Sequence, residues 1–412
     1  MSARSSTTPS TAPRTPVRVS LTLFCSLLAG WSGVASAACD QTLSPGADIG
    51  AAISSAAGGA EICLNDGSYG GVKLSGVNKS SMVTVRSLNG AAKVNVGLLS
   101  LDNVAYVHLK AVTFTGGVLR GHHLQITEST GAAYLLNGVS QVLKVYGTVP
   151  NAAILIDRVK YINIPNPCTN NACVEGRISI LGGGNPSGIT ISNSHFAGGN
   201  SDGIQVGGNA GAVQIVGNEF TNIMAASGTH TDSIQLYGQG PGTVIKGNYF
   251  HDTENGIMAG DGGNDEKIIG NVFDLKGYPY GIVMNNWKNA LIRHNTFKYG
   301  TSCSWNSCGT LWVRGCVNLV IEDNVIGELK VDSGSFTEDY NLITVGGTAH
   351  GHTIVGSPVY VGGANPTTLA GFQLTPASPG YKAASDGTDM GAPVPSGQSS
   401  SPPSPPTSLK VQ

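Results

Sequence analysis

The stretch VQIVGNEF, Val213 to Phe220, recurs along the chain in altered form. ITISNSHF (189–196) stands before it, and TVIKGNYF (243–250), EKIIGNVF (266–273), ALIRHNTF (290–297) and LVIEDNVI (319–326) follow. Each copy carries β-branched residues in alternation, then a small or polar turn, then an aromatic or aliphatic anchor. The residue two before the anchor is Ser194, Asn218, Asn248, Asn271, Asn295 and Asn324, at spacings of 24, 30, 23, 24 and 29 residues. That period is one rung of a coiled stack of parallel strands. Asparagine suits an inward turn in such a stack, because its amide can bond its own turn and the Asn one rung away. Phe196, Phe220, Phe250, Phe273 and Phe297 then form an aromatic ladder inside the coil. VHLKAVTF, ending at Phe114, fits the same template and extends the coil toward the N-terminus.

Gly and β-branched residues dominate, and no long segment places apolar residues at helical spacing. The exception is GADIGAAISSAAGGAEICL (46–64), whose Ala-rich part predicts a short helix before the first strand, covering the open end of the stack. Residues 1–37 carry Arg4, Arg14 and Arg18, the apolar run VSLTLFCSLLAGW and Ala35-Ser36-Ala37, the pattern of a secretory signal peptide. That run is shorter than the roughly 20 residues of a membrane span, so an exported protein, extracellular or periplasmic, is expected. The coil domain then covers 38–393, and 394–412 is a Pro/Ser-rich tail with nothing apolar to bury. Charged residues make up 12% and the formal net charge is −2, so the basic stripe of a nucleic-acid binder is missing. A monomer is expected.

An exported chain makes disulfides the natural use of its cysteines. The spacing predicts pairs 39/63, 168/173 and 303/308 with Cys316 left over; zinc at Cys303, Cys308 and Cys316 is the competing reading, without a histidine at ligand spacing.

The cap segment followed by NDGSYGGVKL (65–74), the Asn-x-Phe rungs and the closing SPGYKAASDGTDMGA (378–392) resemble the right-handed parallel β-helix proteins of the pectin-lyase-like superfamily. The resemblance covers roughly Cys39 to Pro393. It implies an all-β fold, a right-handed parallel β-helix with a short N-terminal capping helix, and a polysaccharide as the substrate class.

A second strand per rung aligns as DGIQVGG from Asp202, DSIQLYG from Asp232, NGIMAGD from Asn255, YGIVMNN from Tyr280 and GTLWVRG from Gly309. With Ile204, Ile234, Ile257, Ile282 and Leu311 inward, alternation sends Gln205, Gln235, Met258, Val283 and Trp312 outward. Gly207, Tyr237, Gly260, Asn285 and Arg314 lie beside them. Aromatic rings, amides and a guanidinium on an outer sheet suit a glycan. Asp202, Asp232 and Asn255 stack one rung apart; the two carboxylates need a shared proton, a bound Ca²⁺ or a cation such as His230, Lys288 or Arg293 between them. His230 and Asp232 sit on the longest of the rungs, and insertions gather on a binding face. Asp261, Asp265 and Glu266 form an acidic group of the kind that holds Ca²⁺ through oxygens, the one cofactor considered.

The residues allow two reactions. Cleavage of a uronic-acid polymer by β-elimination needs a group that neutralises the carboxylate, a base for the C5 proton and an acid for the leaving oxygen. Arg293, Arg314 or Gln235 would neutralise, His230 oriented by Asp232 would be the base, and Tyr237 the acid; Gln205, Asn285, Lys288 and Trp312 would bind sugar. The set resembles lyases and C5-epimerases of alginate-like polymers, although the Asp-Pro-His motif of mannuronan epimerases is absent. Alternatively NSDGI (200–204) is similar to the Asn-Thr-Asp-Gly motif of polygalacturonases, which would make Asp202 and Asp232 the carboxylates of a glycoside hydrolase. There Thr231 replaces one of the paired aspartates, and Asn255-Gly256 stands where a histidine is expected. A non-catalytic adhesive β-helix is the third reading.

Overall fold

The computed structural model describes residues 38–394, apart from 133–134, 137–138, 141–142, 165–175, 183–187, 226–230, 302 and 304–307; of residues 135–136 and 139–140 only the backbone is described. The chain is a right-handed parallel β-helix. Each full rung contributes three strands, as in Ile189–Ser192, His195–Gly199 and Ile204–Gly207, and each strand pairs in parallel with its counterpart one rung on. Parallel strands covered on the inside by neighbouring rungs bury every second side chain, which the alternating sequence supplies. The interior column Ile178, Ile204, Ile234, Ile257, Ile282 and Leu311 is wholly withdrawn from solvent.

Both predicted ladders form. Phe196, Phe220, Phe250, Phe273 and Phe297 stack with centroids 4.7–4.9 Å apart, and Tyr161 joins below Phe196 at 5.5 Å. Phe114 meets Tyr161 edge-on at 6.0 Å, so the column continues but the stack does not. The Asn218 amide donates to Asn248 Oδ1 at 3.0 Å, and the relay passes through Asn271, Asn295 and Asn324 to Asn341. Each of these amides also bonds a strand carbonyl, as Asn271 does to Ile245 O at 2.9 Å, so buried polar groups are satisfied by the repeat itself.

The capping helix is Ile49–Ser55, with Asp48 accepting from Ala51 N at 3.0 Å as its N-cap. It is not preceded by loop alone: a strand, Gln41–Leu43, comes first and pairs with Glu61–Leu64. The Cys39–Cys63 disulfide ties that strand down, Cys303–Cys308 is also formed, and Cys316 is free and buried. Cys168 and Cys173 lie outside the described residues. The closing segment folds back along the third face: Tyr360, Phe372, Leu374 and Met390 pack on Val272, Val325 and Leu342. No helix among the described residues is long and apolar enough to cross a membrane.

Candidate functional site

Strand pairing fixes the outward columns. Gln205 pairs with Gln235, Gln235 with Met258, Met258 with Val283, and Val283 with Trp312. The same column runs back through Ser179 to Lys144 and on to Lys330. The register expected from aligning Ile234 with Leu311 therefore holds, and Trp312 lies on the outer face, half-buried.

A groove of about 450 Å³ opens on this face, lined by Lys144, Ser179, Leu181, Gln205, Gln235, Tyr237 and Asp261. Its floor is a chain of hydrogen bonds. Ser179 Oγ donates to Gln205 Oε1 at 3.3 Å, and Gln205 Nε2 donates to Gln235 Oε1 and to Asp202 Oδ2, both at 2.9 Å. With its oxygen engaged, Gln235 presents its amide N–H groups. The Tyr237 ring lies over Gly207, where any Cβ would collide with it, so glycine at 207 sets where the phenol sits. Lys144 and Asp261 were not foreseen as groove partners of these residues. Lys144 belongs to the strand LKVYG, two rungs before Gln205, which ends in the same Tyr-Gly pair as IQLYG at 234–238.

Beneath the groove edge lies a buried acidic group. Asp202, Asp232 and Glu254 are all nearly inaccessible, at 2%, 0% and 6% exposure. Asp202 Oδ1 accepts from Asp232 N at 2.9 Å, Asp232 Oδ1 accepts from Asn255 Nδ2 at 3.1 Å, and Glu254 accepts from Ala225 N. Burial raises the Asp232 carboxyl well above the usual range, and the charge of Asp202 adds to the effect. Glu254 is raised for the same two reasons. Arg177, one rung below Asp202 and 1% exposed, is the compensating cation that the sequence did not single out; burial pulls it down to about 10, so it stays charged. The stack of carboxylates is as expected, but the cation beside it is Arg177.

Arg293 and Lys288 are elsewhere. Arg293 stands on a different face and is held by Asp323 at 2.8 Å and Ser385 at 3.1 Å of the closing segment, so it cannot neutralise a substrate on the groove face. Lys288 is exposed on the short strand after the Asn285 turn and does not line the groove. The proposed calcium group is also not assembled. Alternation along Lys267–Ile269 turns the preceding Glu266 inward, 1% exposed, while Asp261 and Asp265 stay on the surface. Among the described residues no group of three or more His, Cys, Asp or Glu is placed to hold a metal. His230 lies outside the described residues, immediately before Thr231 and Asp232.

Trp312 does not present a bare ring. Arg314 Cζ lies 4.2 Å and Lys330 Nζ 4.1 Å from its centroid, and its Nε1 donates to Asp332 at 2.9 Å. Arg314 Nε donates to Asn285 Oδ1 at 2.6 Å.

Fold and face together define a right-handed parallel β-helix with a polar groove on one outer sheet. Comparison with known proteins agrees. The right-handed β-helix region model matches residues 176–371. A PL6-family alginate lyase, AlyGC, superposes with a TM-score of 0.59 at 14% identity, over 85% of this chain and 56% of its own. A mutant of the same lyase gives 0.57 at 14% identity, over 89% and 59%. PfbA, a surface adhesin of Streptococcus pneumoniae, gives 0.49 at 16% identity, over 72% and 85%. This chain thus spans less than two thirds of the length of the alginate lyase, and the likeness is one of fold. No curated protein sequence matches.

Proposed function

We propose that the protein is a polysaccharide lyase acting on a uronic-acid polymer in the groove at Gln205, Gln235 and Tyr237. The observation that carries this reading is the groove's lining: amide donors, an ammonium and a phenol, with Asp261 as its one carboxylate among the described lining residues. Hydrolysis needs two carboxyl groups flanking the scissile bond, roughly 5–9.5 Å apart. Asp202 and Asp232, the pair suggested by the hydrolase-like motif, are buried and bonded rung to rung, so no sugar fits between them. Disulfides and a fold shared with alginate lyases are compatible with an exported enzyme of this class.

In the elimination, Lys144 and the Gln235 amide withdraw charge from the uronate carboxylate and make the C5 proton acidic. His230 takes that proton. The electron pair left on C5 forms the C4–C5 double bond as the C4–O bond breaks, and the Tyr237 hydroxyl protonates the departing oxygen. Tyr237→Phe removes the acid and keeps the ring over Gly207, so turnover is expected to fall about 10²–10⁴-fold while polymer binding is retained; full activity in that variant would remove Tyr237 from the mechanism. His230→Ala should lose activity to a similar degree.

A further inference from the structure

Three rungs beyond Gln235 the outer column reaches Trp312, about 14 Å from the groove at the spacing of parallel strands. The Arg314 guanidinium there is fixed twice, by its bond to Asn285 and by its place over the Trp312 ring. Lys330 approaches the same ring from the next rung, and the nearby Asp332 is engaged by the indole N–H. Among the described residues neither cation forms an ion pair with a carboxylate. A guanidinium whose Nε is already used keeps its two terminal nitrogens side by side, the geometry that takes a carboxylate through two parallel hydrogen bonds. Two like charges gathered on one ring repel each other, a cost that a bound anion would relieve.

We propose that Arg314 and Lys330 form an anion subsite that holds the carboxylate of a uronate unit remote from the cleavage groove, so that the polymer lies lengthwise along this face. The inference rests on the lyase reading for the identity of the polymer, though not for the existence of the subsite. The spacing between rungs, about 4.8 Å, is comparable to the rise of one sugar in an extended chain. The subsite therefore favours long acidic chains over short ones and over neutral polymers.

The test is binding of the full chain to alginate, to dextran as a neutral comparison and to an alginate disaccharide, by affinity electrophoresis and calorimetry. Arg314→Gln with Lys330→Gln is expected to weaken alginate binding about tenfold, to flatten its dependence on salt, and to leave disaccharide binding unchanged. Alginate affinity equal to that of the wild type would overturn the subsite. Should the double variant fail to fold, Lys330→Gln alone carries the same test with a smaller loss. The two readings separate cleanly. Weakened binding in a protein that cleaves no polymer keeps the subsite and removes the lyase; unaltered binding in a protein that yields unsaturated products does the reverse.

Discussion

Tyr237 depends on a residue that makes no polar contact with it. The phenol occupies the space over Gly207, so Gly207→Ala pushes the ring from its place without touching its chemistry. Activity is expected to drop as it does in Tyr237→Phe, with a melting point close to that of the wild type; an unchanged rate would mean the ring's position is immaterial. Glu266 shows where neighbours in sequence mislead. Next to Asp261 and Asp265 it reads as part of a surface acidic group, yet it opens a strand whose inward column is Val213, Thr243, Ala290 and Leu319. Buried there, the carboxyl is pushed up to about 8 by desolvation, which outweighs the opposing pull of its own backbone N–H and the Gln239 amide. A carboxyl whose folded value lies above its unfolded 4.5 favours the fold while protonated, so its contribution declines as pH rises from 4.5 to about 8. Thermal unfolding across that range should show Glu266→Gln gaining on the wild type as pH increases, and parallel curves would contradict this.

At the scale of the strand and ladder, the sequence was legible where the repeat was regular. The Asn relay was visible from Ser194 to Asn324, because each copy kept its anchor and spacing. Asn341 was missed since it follows Asn324 by only 17 residues and lies outside the period, although DYNLI has the same turn chemistry as DNVI. Arg293 was misplaced for a related reason: it is close in sequence to Asn285, but its strand belongs to another face of the coil. Asn271→Ala should cost about 3 kcal/mol, since it leaves the buried Asn248 N–H without its acceptor and breaks the amide relay on both sides. Denaturant unfolding measures this directly, and a cost below 1 kcal/mol would show that the ladder contributes little. On the third face, Glu219 accepts from His195 and His251, and these bonds hold its carboxyl down at about 2. Burial pulls His251 downward, but its bonds to Glu219 and Asp252 outweigh that and raise it. Glu219 therefore stabilises above its unfolded 4.5 and loses this as pH falls toward about 2. His251 stabilises fully below 6.5 and loses this as pH rises through its raised value. Both contributions are complete between 4.5 and 6.5, and His251→Ala should flatten the stability maximum there by about 0.5–1 kcal/mol, a modest figure because Glu219 is part-exposed.

For the whole molecule, the coil arranges chemistry by repeating it. One face of ten successive rungs, from Ser100 through Lys144 and Gln235 to Lys330, carries an outward column whose polar character changes along its length while the inward column stays aliphatic. That division let the fold and the Gln205–Trp312 face be read from alternation alone. The groove's Lys144 and the buried Arg177 were not legible, because the alignment of second strands began at Asp202 and their segments lie two rungs and one rung earlier. The central claim is that this face cleaves an acidic polymer by elimination. The direct measurement is to incubate the purified protein with alginate and other polyuronates and to follow reducing ends together with the ultraviolet absorbance of a C4–C5 double bond. The account predicts that both rise in step; reducing ends formed without the double bond, or no cleavage of any polyuronate, would contradict it.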